Sequence, residues 1–154
     1  MYPSTEDIFT IAHKVLDTMI HVEAVIGQDS PLEDSPLEDA RGELTGCIQI
    51  IGAWQGAVIL QSSERFARQA ASQMLSLAED AVTLADMQDV MAEITNMIGG
   101  NIKSQVPGPS YLSLPCVTTG NDFSFHLANS KAVNGVALEV ENESLRILLR
   151  EAND

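Results

Sequence analysis

The sequence predicts an α+β fold in which two long helices pack on an antiparallel β-sheet. Two segments carry apolar residues at helical spacing over several turns, one near the start of the chain and one near its middle. The strand-like runs come in consecutive groups, one group before the middle helices and one after them. Grouped strands favour α+β over a doubly wound α/β fold, in which strands and helices alternate one by one.

Length and composition set the limits on domain number and partners. The 154 residues are enough for one domain with a sizeable core, so we expect a single domain over residues 1–154. A content of 45% hydrophobic and 19% charged residues argues against disorder. The 8 Lys and Arg against 22 Asp and Glu give a formal charge of −14. Although solubility alone could explain this charge, it repels nucleic acid and anionic membrane, so neither is expected as a partner.

The N-terminus does not resemble a signal peptide. Its residues MYPSTED are acidic where a signal peptide is basic, and no apolar run approaches the length of a membrane span. The two cysteines, Cys47 and Cys116, lie in separate strand-like runs. They are expected to be buried, reduced thiols rather than a disulfide or a metal pair. We therefore expect a cytoplasmic protein.

The first predicted helix runs from about Thr5 to Val25. Its start can form a capping box, because the Ser4 and Asp7 side chains can each accept a hydrogen bond from the other's backbone N–H. Apolar residues then continue at helical spacing: Ile8, Ile11, Ala12, Val15, Leu16 and Met19. Gly27 is expected to end the helix, since glycine is favoured just beyond a helix end.

A loop and a β-hairpin are predicted next. The tandem repeat SPLEDSPLED places prolines among clustered carboxylates, so we expect a solvated, flexible loop over residues 28–42. Two strand-like runs, 43–51 and 54–61, follow on either side of Gly52 and predict the hairpin. Trp54, at the bend, is expected to anchor the core or cover a sheet edge.

Two further helices are predicted in the middle of the chain. Ser63 can cap the first, whose apolar face comprises Phe66, Ala67, Ala70, Ala71, Met74 and Leu75. The second is a long helix from Thr83 to Gln105, and Asp86 can cap it together with Thr83. The apolar stripe of the long helix comprises Met87, Met91, Ile94, Ile98 and Ile102. The Pro-Gly-Pro run at 107–109 then ends it.

Four strands are predicted in the remainder of the chain, and they complete the sheet. Their ranges are 112–119, 123–127, 135–140 and 145–149. The residues between them favour turns, and the three turns are Gly120-Asn121-Asp122, Asn129-Ser130-Lys131 and Glu141-Asn142-Glu143.

The usual catalytic and metal-binding patterns are missing from the sequence. The three histidines, at positions 13, 21 and 126, lack metal-ligand spacing, and no G-x-S-x-G elbow supports a serine hydrolase. The stretch Gly99 to Ser104 superficially resembles a phosphate-binding loop. However, Ile102 stands where a glycine should precede the lysine, and the stretch ends a helix rather than opening one. No metal site is predicted in this chain.

The remaining candidates lie on the polar face of the long helix. At about 100° per residue, the residues opposite the apolar stripe are Asp89, Glu93, Asn96, Gly100 and Lys103. A polar face in water is the simpler interpretation, and the spacing E-x-x-N recurs at a predicted strand end. Yet an asparagine within a helix costs roughly half a kcal/mol and each following glycine up to about 1 kcal/mol. A helix selected for stability alone would avoid them, so this face is a candidate site.

Three motifs in the second half of the chain carry a family resemblance. They are Asp89-x-x-x-Glu93-x-x-Asn96 with Met97-Ile98-Gly99-Gly100-Asn101 and Lys103 after it, Leu112-Ser113-Leu114-Pro115, and Val117-Thr118-Thr119-Gly120. Together they resemble the signature helix, the proline-bearing strand and the turn of the CheX/CheC/FliY chemotaxis phosphatases, most closely the CheX branch. The first half of the chain agrees with that family in the order and type of its elements. The resemblance implies a CheC/CheX-like fold.

The resemblance also implies a phosphatase that acts on a phosphorylated CheY-type response regulator. In that family an acid and an amide enter the regulator's active site and speed hydrolysis of its aspartyl phosphate. By position, Asn96 would orient the attacking water, since a carboxamide offers a donor and an acceptor without adding charge. Glu93 would pair with the regulator's lysine. Asp89, Gly100 and Lys103 would contact the partner, and the regulator would supply the Mg²⁺, so no cofactor is expected in this chain.

One site per chain and a homodimer are further implications of the resemblance. CheC-type members commonly carry two such helices, whereas the second helix here has Glu64 followed by Ala67, which fits the CheX branch. Two alternatives stay open. One is a non-catalytic CheC-like or flagellar-switch-like module that binds a response regulator or an adaptor. The other is a small-molecule-binding domain, which would need a deep apolar pocket.

Overall fold

Three α-helices and seven β-strands make up the part of the chain that the computed structural model describes, residues 2–27, 44–119 and 130–153. The helices are α1 (Thr5–Ile20), α2 (Glu64–Leu75) and α3 (Leu84–Lys103), with a 3₁₀ turn at Glu79–Ala81. The strands are β1 (Val25–Ile26), β2 (Leu44–Gly52), β3 (Gly56–Ser62), β4 (Ser110–Leu112), β5 (Cys116–Thr119), β6 (Ser130–Val140) and β7 (Glu143–Ala152). No helix within these ranges is both long and apolar enough to cross a membrane.

All the strand pairs in the sheet are antiparallel. The order is β1-β6-β7-β3-β2, and both β4 and β5 pair with the outer edge of β2. Alternate side chains of the strands point to one face, where they form a single core with the helices. The large, fully buried members of this core are Phe66, Ile8, Leu16, Leu44, Ile48, Ile50, Leu60, Met91, Ile94, Ile98, Ile102 and Leu138.

The predicted α+β class is confirmed, but the helix layer differs from the prediction of two long helices. Helix α2, which was itself predicted, is only 12 residues long and packs into the same core as α1 and α3, so three helices rather than two long ones cover the sheet. Its buried face combines the large Phe66 with three alanines, so its backbone can lie close to α3. The predicted Ser63 cap is confirmed, since its hydroxyl accepts a hydrogen bond from the Phe66 N–H at 3.1 Å.

Helix α1 is shorter than predicted. It begins at the Ser4–Asp7 capping box, as expected, but ends at Ile20, because His21 adopts a left-handed conformation with φ 56°. The predicted extension to Val25 is wrong. Strand β1 forms there instead and pairs with β6, and the Gly27 N–H continues that pairing. A long-range sheet partner therefore outcompetes the last predicted turn of helix.

The hairpin of β2 and β3 is confirmed, and Trp54 in its connection is only 5% exposed, as expected of a core anchor. The predicted strand 112–119 is broken into β4 and β5. Three residues between them, 113–115, lie opposite two residues of β2, which makes a bulge. Pro115 has no N–H to donate to the ladder, which explains the interruption.

Cys47 and Cys116 differ in environment. Both are free thiols, as predicted, and Cys47 is buried. The prediction that Cys116 is buried is wrong, because β5 lies at the sheet edge and Cys116 is exposed there. Burial raises the pKa of the Cys47 thiol to about 11, and the neighbouring Cys116 thiol contributes to that rise.

The last hairpin matches the prediction at its turn and differs at its start. Glu141 and Asn142 have positive φ values of 50° and 69°, as two-residue hairpin turns require, although Glu143 already belongs to β7. The predicted turn at 129–131 is wrong at Ser130 and Lys131, which pair with β7 as part of β6. The expected loop 28–42, turn 120–122 and strand 123–127 lie outside the described residues.

Candidate functional site

Helix α3 carries the candidate site, and its first turn is fixed by side chains. The Asp86 N–H donates to the Thr83 hydroxyl at 3.1 Å, and the Thr83 N–H donates to the Asp86 carboxylate at 2.9 Å. This is the predicted capping box, which satisfies two N–H groups that the helix itself leaves unpaired. Lys103 in the last turn complements the helix dipole. The cap at Thr83 therefore sets where α3 begins.

The buried face of α3 rests directly on β2. Thr95 is fully buried, and a Cβ added to Gly46 of β2 would overlap its hydroxyl. A Cβ added to Gly99 would lie 2.6 Å from the Ile48 Cγ2 atom. The two glycines therefore permit the close approach of helix and strand. The predicted apolar stripe is confirmed as buried: Met87, Met91, Ile94, Ile98 and Ile102.

The opposite face of α3 is open. Asp89, Glu93 and Asn96 are exposed, while Gly100 and Lys103 are half-buried. Within the described ranges, the Glu93 and Asn96 side chains make no hydrogen bond or ion pair. The predicted acid and amide therefore stand one turn apart, with their polar atoms available to a second molecule.

Gly100 lies on the same face as this pair and has no side chain that would obstruct a partner. A Cβ added there would meet only the Leu112 Cδ1 atom of β4, at 3.8 Å, which is an ordinary van der Waals contact. Sequence reasoning did not place Leu112 next to the site. It also did not predict that Leu114, two residues further on, is 90% exposed. Both positions depend on the pairing of β4 with β2, for which the local sequence carries no signal.

The chemistry available on this face is that of an acid and an amide. The five residues include no hydroxyl, thiol or imidazole, so the face offers no serine, cysteine or histidine nucleophile. A carboxamide can donate to one oxygen atom and accept from another, and a carboxylate can pair with a cation. Such a face can position a water molecule and bind a positively charged side chain of a partner.

Two other segments, one in α2 and one at the end of β6, have a glutamate at the start of a four-residue stretch like Glu93-x-x-Asn96, but neither forms a comparable face. In α2, Glu64 pairs with Arg68 at 3.1 Å, and Ala67 is fully buried. Glu139 lies within β6, and Asn142 lies in the turn after it with φ 69°. Neither position offers an acid and an amide one helical turn apart, so α3 is the better candidate.

A cleft of about 280 Å³ lies between the end of α1, one side of α2 and the turn after β6, and no residue of α3 lines it. Its lining includes several polar side chains, namely His21, Gln69, Gln73, Glu79 and Glu141. It contains none of the exposed residues of α3. This cleft is not the deep apolar pocket that a small-molecule-binding domain would need.

A protein-family model supports the resemblance seen in the sequence. The model, described as chemotaxis phosphatase CheX, matches residues 44–141, which include all of α2 and α3. No curated protein matches the chain.

Several solved structures share the fold. A chemotaxis protein CheX from Desulfovibrio desulfuricans is 19% identical with a TM-score of 0.74, and the match covers 94% of this chain and 95% of that one. A CheC-like superfamily protein from Shewanella sp. PV-4 is 19% identical with a TM-score of 0.76, covering 95% of each chain. A CheX-CheY-BeF3-Mg²⁺ complex from Borrelia burgdorferi provides a chain that is 15% identical with a TM-score of 0.73, covering 99% and 100%. At these identities the likeness shows the fold.

Proposed function

The chain belongs to the CheX family of chemotaxis phosphatases, and from this premise we propose that it hydrolyses the aspartyl phosphate of a phosphorylated CheY-type response regulator. The observation that carries the proposal is the open face of α3. Glu93 and Asn96 are exposed, have no partner within the described ranges, and share a helix face with Gly100, which has no side chain to obstruct a partner. A partner can therefore approach the pair without displacing an internal contact.

Asn96 is the proposed water-positioning residue. Its carboxamide would accept a hydrogen bond from the attacking water and donate another to a nearby oxygen, which holds the water in line with phosphorus. The neutral amide adds no charge next to the phosphoryl group. The role parallels that of the water-positioning glutamine of GTPases.

Glu93 is the proposed docking residue. Its carboxylate would pair with the regulator's lysine near the phosphate and keep the two proteins in register. Asp89, Gly100 and Lys103 would contact the regulator along the same face. The Mg²⁺ would be supplied by the regulator, so this chain would need no cofactor of its own.

The partner proposal is supported by one relative. The structure from Borrelia burgdorferi is a complex of CheX with CheY, BeF3 and Mg²⁺. For the present chain we carry over the class of partner, a CheY-type regulator. We further propose that it works in the cytoplasm as a homodimer, a state that sedimentation equilibrium would detect as twice the chain mass of 16.6 kDa.

The function is tested by the lifetime of a phosphorylated regulator. Response regulators from the same cell would be phosphorylated with acetyl phosphate, and phosphate release would be followed with and without this protein. We expect faster release from one regulator, and no acceleration by the double variant Glu93→Ala/Asn96→Ala. A double variant as active as the parent would show that the site is elsewhere. Binding without acceleration by the parent protein would favour the non-catalytic module.

A further inference from the structure

The two cysteines of the chain face each other across neighbouring strands. The pairing of β2 with β5 places the Cα atom of Cys47 directly opposite that of Cys116, and both thiols are free. Directly opposite residues of an antiparallel pair project to the same face of the sheet. This juxtaposition was not evident from the sequence, in which the two cysteines lie far apart.

The shared face is the one turned away from the helices. Gly46 and Ile48 lie against α3, so Cys47 between them points to the other side of the sheet. There it packs in a small apolar cluster with Ala57 and Ile59 of β3. Cys47 is 5% exposed, whereas Cys116 at the sheet edge is open to solvent.

The hydrogen bonds of Gln49, two residues after Cys47 on β2, show how the backbone of Cys47 is oriented. The Gln49 N–H donates to the Ser113 hydroxyl at 2.9 Å, and the Gln49 carbonyl accepts from the Ser113 N–H at 2.9 Å. Because backbone directions alternate along a strand, the Cys47 N–H and carbonyl point to the same edge and face Cys116. Such a hydrogen-bonded pair has a Cα separation of about 5.5 Å, within the range of roughly 4.4–6.8 Å that disulfides span.

We propose that Cys47 and Cys116 form a modification site. Their thiols are joined in a reversible intramolecular disulfide when the protein meets a peroxide or a small-molecule disulfide. The two Cβ atoms of a hydrogen-bonded pair lie further apart than those of a non-hydrogen-bonded pair. Closing the bridge therefore requires a local shift of the backbone, and strained disulfides are reduced more readily than relaxed ones. The bond is consequently suited to reversible regulation rather than to permanent cross-linking.

The two thiols have different roles in the reaction. With hydrogen peroxide, the exposed Cys116 sulfur attacks one oxygen, the O–O bond breaks, and the products are a sulfenic acid and water. Cys47 then attacks the Cys116 sulfur, the S–O bond breaks, and the departing hydroxide takes the proton of the Cys47 thiol to form a second water. Two thiols are thereby oxidised to one disulfide, and one peroxide is reduced to two waters.

The disulfide would link β5 covalently to β2 at the sheet edge next to the candidate site. It closes a loop that contains β3, α2 and α3, and such closure restricts the unfolded chain. The same edge includes Leu112, which lies beside Gly100. Because the disulfide forms on the opposite face of the sheet, it would leave Glu93 and Asn96 in place. The inference is independent of the proposed phosphatase function.

The experiment treats the full chain with hydrogen peroxide or oxidised glutathione and maps the products by mass spectrometry without reduction. We expect a mass decrease of about 2 Da, a cross-linked peptide pair containing Cys47 and Cys116, and full reversal by dithiothreitol. The matched controls are Cys47→Ala, which keeps the buried position apolar, and Cys116→Ser, and neither should form the bridge. A parent protein with only oxidised or glutathionylated Cys116, or with only intermolecular disulfides, would overturn the proposal.

Amide hydrogen exchange gives a second readout that does not depend on the variants' folding. In the oxidised parent, the amides of β5 should exchange several-fold more slowly than in the reduced parent, because the edge strand can no longer separate from β2. Unchanged exchange in a sample shown to contain the disulfide would contradict the proposed fastening of the edge.

Discussion

Asn96 is exposed on α3, where its amide makes no internal hydrogen bond within the described ranges. We expect Asn96→Ala to lower kcat about 100-fold, because the attacking water would no longer be held in line. KM should change little, since the amide acts mainly in the transition state. Steady-state phosphate release from the phosphorylated regulator measures both values.

A matched control exists on the same helix. The Asn101 amide donates to the Met97 carbonyl at 2.8 Å, so Asn101→Ala removes an amide of the same kind that is engaged within the helix. Its phosphatase rate should stay close to that of the parent. An equal loss in both variants would point to a general disturbance of α3 rather than to water positioning.

Glu93 is expected to contribute to the affinity for the regulator as well as to the rate of phosphate hydrolysis. Glu93→Ala should raise KM about tenfold, because a charge-assisted hydrogen bond to the regulator's lysine is lost. Glu93→Lys should weaken binding further, since it places two positive charges together. Titration of the regulator by isothermal calorimetry checks the affinity. Glu139→Ala, at an exposed acid on β6, is the charge-matched control, and an unchanged KM in Glu93→Ala would argue against the docking role.

At the scale of the element, the two adjacent glycines of α3 differ in how closely their neighbours pack against them. Gly99 faces Ile48 at a distance too short for a Cβ, whereas Gly100 has only an ordinary contact with Leu112. Gly100→Ala should therefore raise the free energy of unfolding by up to about 1 kcal/mol, through better helix propensity. Gly99→Ala should lower it by roughly 1–3 kcal/mol, because the new methyl group overpacks the core.

Urea denaturation of the two variants tests this contrast, with each serving as the control for the other. If both substitutions stabilise the protein, α3 does not lie as close to β2 as the structure indicates. If both destabilise it, Gly100 is more constrained than its ordinary contact with Leu112 indicates. If Gly100→Ala stabilises the protein and Gly99→Ala destabilises it, the result would support a helix in which Gly99 is tightly packed and Gly100 is accessible.

At the scale of the whole molecule, α3 alone among the three described helices carries the candidate pair of Glu93 and Asn96. The Glu64 carboxylate of α2 is engaged with Arg68, and α2 offers no amide one turn further on. Glu64→Ala should therefore leave the phosphatase rate unchanged. It should also change the free energy of unfolding by no more than about 0.5 kcal/mol, because the ion pair is partly exposed. A fall in the rate would indicate a second site on α2.

Local features of the sequence predicted which face of α3 is exposed, because capping and helical periodicity depend on neighbouring residues alone. The capping box of Thr83 with Asp86 and the helical period placed Glu93 and Asn96 on the exposed face, where the structure has them. The close contact at Gly99 was missed, since periodicity counts apolar residues and gives no signal for a glycine that touches a strand.

Features that depend on distant pairing could not be predicted in the same way. The end of α1 at Ile20, the bulge at 113–115 and the exposure of Cys116 each follow from which strand lies at which edge. Strand pairing joins segments that are far apart in the chain, and local preference does not specify the partner.

The sequence by itself determined the class of fold, the faces of its helices and the acid and amide that one of them presents. Each of these is a property of a continuous segment, read from caps and from the spacing of apolar residues. Only the tertiary structure decided that α3 lies against β2, that Gly100 lies beside Leu112 of β4, and that Cys47 lies opposite Cys116. Those contacts arise when the sheet assembles, because register and edge position are set by all the strands together.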